Sequence, residues 1–216
     1  MTIEISAFAW VPPFAQGYVK DMRVRWALAE AGLPYNVRAL ADGDGNSADY
    51  RAWQPFGQVP AFRDDDVILF ESGAILLHIA RKAEALAPRD AQEAAQTEAW
   101  VFAALNSIEP KIDNLILPPI FYAGEAWVDG WRPHAERLVR LRLTSLSNAL
   151  GTREWLTGRF GVADIVMATV LRGLEEDPIL AEFPNLAAYL KRCLARPSFA
   201  TALAAQMETF RQHEPA

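Results

Sequence analysis

The chain has 216 residues, of which 51% are hydrophobic, so it can bury a substantial core and a disordered chain is excluded. Its formal net charge of -6 disfavours binding to nucleic acid or to an anionic membrane surface, because both are bound through clustered Lys and Arg. We therefore expect the partner to be a small molecule or another protein.

The sequence predicts a cytoplasmic protein with no membrane partner. Cys193 is the only cysteine, so no internal disulfide can form. The first ten residues, MTIEISAFAW, lack the basic segment and long apolar stretch of a signal peptide, and the longest apolar stretches fall far short of the roughly 20 residues that span a bilayer. The three histidines have no ligand-spaced partners, so no metal site is predicted.

The first part of the chain alternates strand and helix patterns. Val24, Ala27, Leu28 and Ala31 recur at helical spacing, and Gly32 follows as a stop signal. The predicted elements are, in order, a strand (3–10), that helix, a strand (35–40), a polar loop (42–49), a hairpin (61–63 and 67–70) and a helix from Ser72.

After Pro88 the strand pattern disappears, and the rest predicts five or six helices separated by Pro and Gly. A long helix covers 91–117, a second follows Pro133, and shorter helices begin near Val162, Pro184 and Pro197. The boundary therefore lies near 86–91. We predict an α/β domain at 1–86 and an all-α helical domain at 91–216.

Two stretches carry the chemistry, QPFGQVPAF at 54–62 and LFESGAI at 69–75. Because Pro60 at a strand start cannot donate a ladder hydrogen bond, the backbone of Val59 is left available to an extended peptide. Ser72 at a helix N-terminus offers a hydroxyl, amides and the positive dipole end to a carboxylate, and the adjacent Glu71 suits an ammonium group. Taken singly, each dipeptide also describes an ordinary strand start or helix cap.

In this order and spacing, the two stretches resemble the soluble (cytosolic) glutathione S-transferases, bacterial type, over nearly the whole chain. The resemblance implies a thioredoxin-like βαβ-ββα domain followed by an all-α domain, a homodimer, and a cis Val59-Pro60 bond. It also implies glutathione as co-substrate, without a metal. The implied glutathione-binding residues are Gln58, Val59, Pro60, Glu71 and Ser72, with Gln58 at the glycine end of the tripeptide.

A second signature, FGVADI at 160–165, resembles the capping box that this family carries in its helical domain. Asp164 would return a carboxylate to backbone amides near Gly161. Gly161 replaces the usual Ser or Thr, which gives up one side-chain hydrogen bond. We therefore expect Asp164 to be a structural cap.

Conjugation needs glutathione as its thiolate, and lowering a thiol pKa by about two units takes roughly 2.7 kcal/mol. The resemblance implies a Tyr, Ser or Cys just after the first strand, but the segment WVPPFAQGYVK at 10–20 contains neither Ser nor Cys. Tyr18 carries the only hydroxyl there. The alternatives are the Trp10 indole N–H, the Gln16 amide and the backbone N–H groups of 14–17, with Lys20 and Arg23 adding positive potential. Tyr18 as an ordinary aromatic at a helix start is the competing interpretation.

We expect the protein to conjugate glutathione to an apolar or aromatic electrophile. The predicted acceptor pocket lies between the domains and is formed by the first loop and by Trp100, Phe102, Ala103, Asn106, Phe121 and Tyr122. Two other functions stay open. One is a non-catalytic glutathione- or ligand-binding regulatory protein, and the other is a glutathione-dependent isomerase or reductase.

Overall fold

The computed structural model describes residues 2–215, which divide into two compact units. The first unit takes the chain up to Ala87 together with the residues from Ala195 onward, and the second takes Pro88–Leu194. The sequence-based division into 1–86 and 91–216 differs from this at the last helix, which packs in the first unit.

The first unit is built on a four-stranded mixed sheet. Its strands are β1 (Ile3–Phe8), β2 (Tyr35–Leu40), β3 (Ala61–Arg63) and β4 (Ile68–Phe70), in the spatial order β2-β1-β3-β4. β1 pairs in parallel with β2 from Ile3 opposite Tyr35 to Phe8 opposite Leu40, and antiparallel with β3. β3 and β4 form the predicted hairpin. β1, one of the two internal strands, is largely buried, and its Ile5 is fully covered.

Four helices accompany this sheet: α1 (Asp21–Ala31), α2 (Ala48–Arg51), α3 (Ser72–Lys82) and α11 (Pro197–Gln212). α1 ends at Gly32, which adopts φ 65, the left-handed conformation that glycine tolerates best. α1 packs against both α3 and α11. The predicted βαβ-ββα order is confirmed.

A buried polar network holds α11 against α1. Arg25 Nε donates to Asp21 Oδ2 at 2.7 Å, and Arg25 Nη2 donates to Thr209 Oγ1 at 3.0 Å. Gln206 Nε2 donates to the other Asp21 oxygen at 2.7 Å. Burial raises the pKa of Asp21, and the Arg25 guanidinium acts in the opposite direction. These side chains explain why the last helix packs with the first unit, a long-range pairing that local sequence patterns do not show.

Asp64 joins the β3–β4 hairpin to α3. Its carboxylate accepts hydrogen bonds from His78 Nε2 and Lys82 Nζ, each at 2.8 Å, and from the amides of Asp66 and Val67. Although desolvation acts in the opposite direction, these partners hold the pKa of Asp64 well below its usual range. The His78 ring also lies edge-on to Phe62. His78 is therefore a packing residue of the hairpin.

The second unit consists of helices. These are α4 (Ala91–Phe102), α5 (Glu109–Ile116), α6 (Pro118–Phe121), α7 (Ala126–Leu150), α8 (Val162–Leu171), α9 (Pro178–Ala181) and α10 (Pro184–Leu194). The starts predicted at Val162, Pro184 and, for α11, Pro197 are confirmed. Across residues 2–215, no helix combines the length and the apolar character needed to cross a membrane.

Two predicted helices have different limits in the structure. The long helix expected at 91–117 is interrupted by a π-helical turn at Ala103–Ile108, because Pro110 lacks the amide that would bond to the carbonyl of Asn106. The helix expected after Pro133 already begins at Ala126 and contains that proline. Tertiary contacts hold its early turns, including the bond from Trp131 Nε1 to the Asn114 carbonyl at 2.9 Å.

Asp164 caps α8 in the second unit. Its Oδ2 accepts from the Gly161 amide at 3.0 Å, while Oδ1 accepts from the Leu156 amide at 3.0 Å and from the Tyr189 hydroxyl at 2.9 Å. Burial raises the pKa of Asp164 to about 6, and the three hydrogen bonds limit that rise. The predicted bond to Gly161 is present, and two further partners come from outside the box.

Candidate functional site

The Val59-Pro60 peptide bond is cis, as the family resemblance implies. Val59 is largely buried and Gln58 is exposed, and β3 begins at Ala61, directly after Pro60. The segment therefore lies at the start of an internal strand of the sheet.

A chain of hydrogen bonds spans the cis bond from one side to the other. The Ala61 amide donates to Ser6 Oγ at 2.7 Å, Ser6 Oγ lies 2.7 Å from Tyr50 Oη, and the Tyr50 hydroxyl donates to the Gln58 carbonyl at 2.5 Å. Tyr50 has one proton, which goes to Gln58, so Ser6 donates to Tyr50. Ser6 and Tyr50 are fully buried, and burial raises the pKa of Tyr50. No motif in the sequence indicates either residue; a serine inside a buried strand is the one local signal.

Two glycines close the turn that leads into Gln58. A Cβ on Gly57 would lie 2.5 Å from the Gly45 carbonyl oxygen, and a Cβ on Gly45 would lie 2.6 Å from that of Gly57. Gly57 also has φ 69. Arg51 clamps the same turn, donating to the Pro55 carbonyl at 2.7 Å and to Asn46 Oδ1 at 2.9 Å. The backbones thus meet where side chains do not fit, which constrains the backbone of the turn before Gln58.

Glu71 and Ser72 form the start of α3. Glu71 has φ 69 and is the one non-glycine within residues 2–215 with a positive φ, a conformation that costs about 1 to 3 kcal/mol and is found most often at functional sites. Its side chain is exposed, whereas Ser72 is only 6% exposed. The first-turn amides of α3 have no partner within the helix, as at any helix N-terminus.

The side chain of Arg23, on α1, also reaches the N-terminus of α3. Its side chain is buried, and Nη1 donates to Ser72 Oγ at 3.2 Å. Because Ser72 Oγ accepts this bond, its own proton can be donated to an approaching carboxylate. A buried guanidinium also adds positive potential behind the helix N-terminus. The sequence suggested Arg23 as a source of positive potential but gave no indication of its contact with Ser72.

The first loop contains a 3-10 turn at Pro13–Ala15. The amides of Ala15 and Gln16 donate to the carbonyls of Pro12 and Pro13, so two of the four backbone donors considered for the sulfur are used inside the loop. Gln16 Nε2 donates to the Val11 carbonyl at 3.1 Å. Tyr18 is 48% exposed, in the turn before α1.

Trp10 and Gln16 line a common cavity of about 500 Å³ in the first unit. The rest of its lining comes from α11 and the residues that follow it, and Tyr18 does not belong to it. The structure therefore brings together two of the three candidate residues of the first loop and places the third outside the cavity.

The aromatic residues expected at the acceptor side lie in the second unit. Phe102 and Asn106 are exposed, and Trp100 and Ala103 are half-buried, around the start of the π-helical turn. Phe121 and Tyr122 are exposed, and the Tyr122 ring lies 5.4 Å from the Trp127 ring. In the described part of the chain, no group of three or more His, Cys, Asp or Glu side chains is placed to hold a metal ion.

Comparison with protein-family models gives two matches. Residues 16–81 match the glutathione S-transferase N-terminal domain, and residues 132–197 match the glutathione S-transferase C-terminal domain. A rice relative, "Probable glutathione S-transferase GSTF2" of Oryza sativa subsp. japonica, is 32% identical over 79% of this chain and 85% of its own length. "Glutathione S-transferase 4" of Zea mays is 28% identical over 91% of each chain.

Solved structures share the fold at lower identity. A Pseudomonas putida glutathione transferase, with one glutathione disulfide bound per subunit, superposes with a TM-score of 0.80 at 22% identity, covering 94% of this chain and 90% of its own. Ure2p in complex with glutathione also gives a TM-score of 0.80 at 22% identity, covering 94% of each chain.

Proposed function

Because the chain belongs to the glutathione S-transferase family, we propose that it binds glutathione and transfers the glutathione thiol to an apolar or aromatic electrophile. The observation that carries this proposal is the buried Arg23 guanidinium donating to Ser72 at the N-terminus of α3. This arrangement is a receptor for a carboxylate, and the γ-glutamyl end of glutathione presents one beside an ammonium group.

Each part of the tripeptide has a counterpart among the proposed residues. Ser72 and the first amides of α3 receive the γ-glutamyl carboxylate, and Glu71 receives the ammonium. The Val59 backbone pairs with the cysteinyl residue in the manner of an added strand, with Pro60 setting the turn. The Gln58 side-chain amide binds the glycine end.

The reaction requires the glutathione sulfur as a thiolate. The thiol proton passes to solvent, the sulfur forms a bond to the electrophilic carbon, and a leaving group departs with its electron pair. Tyr18 is the first candidate to donate a hydrogen bond to the sulfur, because it has the only hydroxyl in the loop. The Trp10 indole and the Gln16 amide are the alternatives.

We further propose a cytoplasmic homodimer. The single cysteine, Cys193, is buried, in keeping with a reducing compartment. An exposed apolar surface in the first unit supports self-association. It consists of Phe56, Ile68 and Phe70, with the two phenyl rings 6.0 Å apart in an edge-on contact.

Calorimetric titration with glutathione tests the proposal, followed by an ultraviolet difference spectrum of the bound thiol against pH. We expect binding together with a lowered thiol pKa, which a Tyr18→Phe variant would then reverse if Tyr18 is the donor. Binding without a lowered thiol pKa would instead support the non-catalytic alternative. Absence of binding would contradict the proposal.

Ser72→Ala is expected to weaken glutathione binding by about 1 to 2 kcal/mol, because one partner of the carboxylate is lost. Arg23→Met should weaken binding in the wild-type background but much less in the Ser72→Ala background, since Arg23 acts partly through the serine hydroxyl. Calorimetry on the four proteins of this cycle measures the coupling.

Arg81→Met is the matched control, because Arg81 is an exposed arginine in the last turn of the same helix. Its glutathione affinity should equal that of the wild type. Strictly additive effects of Arg23→Met and Ser72→Ala would show that Arg23 does not orient the hydroxyl.

A further inference from the structure

The last helix, α11, reaches the end of the first loop through one side chain. Gln206 is fully buried, and its Nε2 donates to the Val19 carbonyl at 3.3 Å and to Asp21 Oδ1 at 2.7 Å. Val19 directly follows Tyr18 and lies before α1, which begins at Asp21. One buried amide group therefore connects the C-terminal helix to the segment that carries the candidate hydroxyl for the glutathione sulfur.

The side-chain amide of Gln206 acts only as a donor toward the described residues. Its Oε1 is buried and has no hydrogen-bond partner within residues 2–215. A buried acceptor without a partner destabilises the folded protein, and an apolar side chain of similar size would avoid that cost. The contribution of Gln206 therefore lies in the two bonds that it donates.

Contacts other than those of Gln206 also hold α11 against α1. Arg25 Nη1 donates to the Ala205 carbonyl at 3.2 Å, and Arg25 Nη2 donates to Thr209 Oγ1 at 3.0 Å. The guanidinium thus contacts α11 on both sides of Gln206 in sequence. The bond from Gln206 to Val19 differs from these, because its acceptor lies before α1, at the end of the first loop.

Val19 is the point at which the loop, α11 and the sheet meet. Its carbonyl accepts from Gln206 and also from the Met22 amide at 2.9 Å, in the first turn of α1. Its side chain packs against a buried cluster that consists of Leu40, Tyr50, Trp53, Val59 and Ala61. The position of Val19 is therefore constrained both by α11 and by the segment proposed to pair with glutathione.

A hydrogen bond to a thiolate depends strongly on where its donor lies. It weakens as the donor moves away or the angle bends, and a catalytic group has to be held within about 0.5 Å of its productive position. The Tyr18 side chain is half exposed, so the backbone on both sides of it contributes to where its hydroxyl lies. On one side, the Tyr18 amide donates to the Ala15 carbonyl at 3.0 Å, and on the other side Gln206 holds Val19.

We propose that Gln206 is a positioning residue of the transferase, which holds the Val19 carbonyl and thereby keeps the Tyr18 hydroxyl within reach of the glutathione sulfur. This inference rests on the proposed function, in which Tyr18 is the first candidate donor to the sulfur. Because Gln206 is fully buried, it acts on the sulfur only through the loop. The C-terminal helix thereby takes part in thiolate activation.

Gln206→Met tests the proposal, because methionine removes both donated bonds and fills a similar volume. We expect the thiol pKa of bound glutathione, measured by ultraviolet difference spectra against pH, to rise by about 0.5 unit or more, since the bond from a displaced Tyr18 weakens. At a pH below that thiol pKa, kcat/KM for the electrophile should fall about threefold, in proportion to the thiolate fraction. An unchanged thiol pKa would contradict the proposal.

Glutathione affinity should hardly respond to the same change. Ser72 and the Val59 backbone do not contact Gln206, so calorimetry should give a dissociation constant for glutathione within about twofold of the wild-type value. A large loss of affinity with an unchanged thiol pKa would show that Gln206 supports binding and does not position the sulfur donor.

Thr209→Val is the matched control on the same helix. It removes the hydroxyl that accepts from Arg25 and so weakens the contact between α11 and α1, but it leaves the bond from Gln206 to Val19 in place. We expect urea denaturation to show a lower midpoint for both variants, and a raised thiol pKa for Gln206→Met alone. If Thr209→Val raises the thiol pKa equally, a general loosening of α11 is the cause and the positioning role is wrong.

Tyr18→Phe, alone and combined with Gln206→Met, shows whether the effect passes through Tyr18. In the Tyr18→Phe background, Gln206→Met should change the thiol pKa by less than about 0.2 unit, because the donor that it positions is gone. An equal rise in both backgrounds would contradict the proposal, and so would a Tyr18→Phe protein with the wild-type thiol pKa.

Hydrogen exchange on the protein without glutathione separates this inference from the proposed function. Gln206→Met should speed exchange of the Met22 amide, which donates to the Val19 carbonyl, by about fivefold or more, and Thr209→Val should not. If the wild type fails to bind glutathione, the proposed function is wrong, and the exchange result still decides whether Gln206 holds the loop end. If the wild type binds glutathione with a lowered thiol pKa that Gln206→Met leaves unchanged, only the positioning inference is wrong.

Discussion

Replacing Asp164 with alanine is expected to lower the free energy of unfolding by about 3 to 5 kcal/mol, because three buried donors each lose their acceptor. The donors are the amides of Leu156 and Gly161 and the hydroxyl of Tyr189, which is fully buried. Urea denaturation at neutral pH measures the loss as a shift in midpoint.

Tyr189→Phe is the graded comparison for that experiment. It removes one donor and leaves Asp164 with its two amides, so a loss of about 1 kcal/mol is expected. An Asp164→Ala protein within about 1 kcal/mol of the wild type would show that solvent replaces the carboxylate, and the cap would then have little structural role.

The Asp164 carboxyl also makes the stability of the protein depend on pH, and the direction of its pKa shift gives the sign of that dependence. Burial raises its pKa from the ordinary value of 3.8 to about 6, so the native state holds the proton more tightly than the unfolded chain does. The contribution of this shift to stability is complete below pH 3.8 and is lost as the pH rises through about 6. Between about pH 5 and pH 7.5, the wild type should lose about 1 kcal/mol that Asp164→Asn does not lose.

Replacing Tyr50 with phenylalanine is expected to weaken glutathione binding about tenfold and to lower stability by about 2 kcal/mol. The change removes the donor to the Gln58 carbonyl and the acceptor of the Ser6 proton, both in the buried interior. The segment from Gln58 to Pro60, which is proposed to pair with glutathione, then loses its tie to β1. Calorimetric titration and urea denaturation of the same protein measure the two effects.

Tyr122→Phe is the matched control, because Tyr122 is exposed in the second unit and its ring contact with Trp127 survives the change. Ser6→Ala is the informative partner variant. It leaves the Tyr50 bond to Gln58 in place and deprives the Ala61 amide of its acceptor, so stability should fall more than affinity. If Tyr50→Phe binds glutathione like the wild type, Tyr50 does not position this segment for binding.

The order of elements in the first eighty residues could be predicted because its signals are local. Gly32 ends α1, the acidic residues 64–66 mark the hairpin turn, and β2 coincides with the predicted 35–40. The starts of α8, α10 and α11 followed from Gly161, Pro184 and Pro197 for the same reason. The predicted limits of a helix were wrong where contacts distant in sequence determine its ends, as for α7, which contains Pro133.

The sequence by itself determined the family, the fold class and the residues proposed to hold glutathione, because these depend on spacing within short segments. Only the tertiary structure decided which side chains support those residues. Arg23 meets Ser72 across 49 positions, Ser6 meets Tyr50 across 44, and Gln206 meets Asp21 across 185. Buried polar groups must find partners wherever the fold brings them together, and no periodicity in the chain records such pairs.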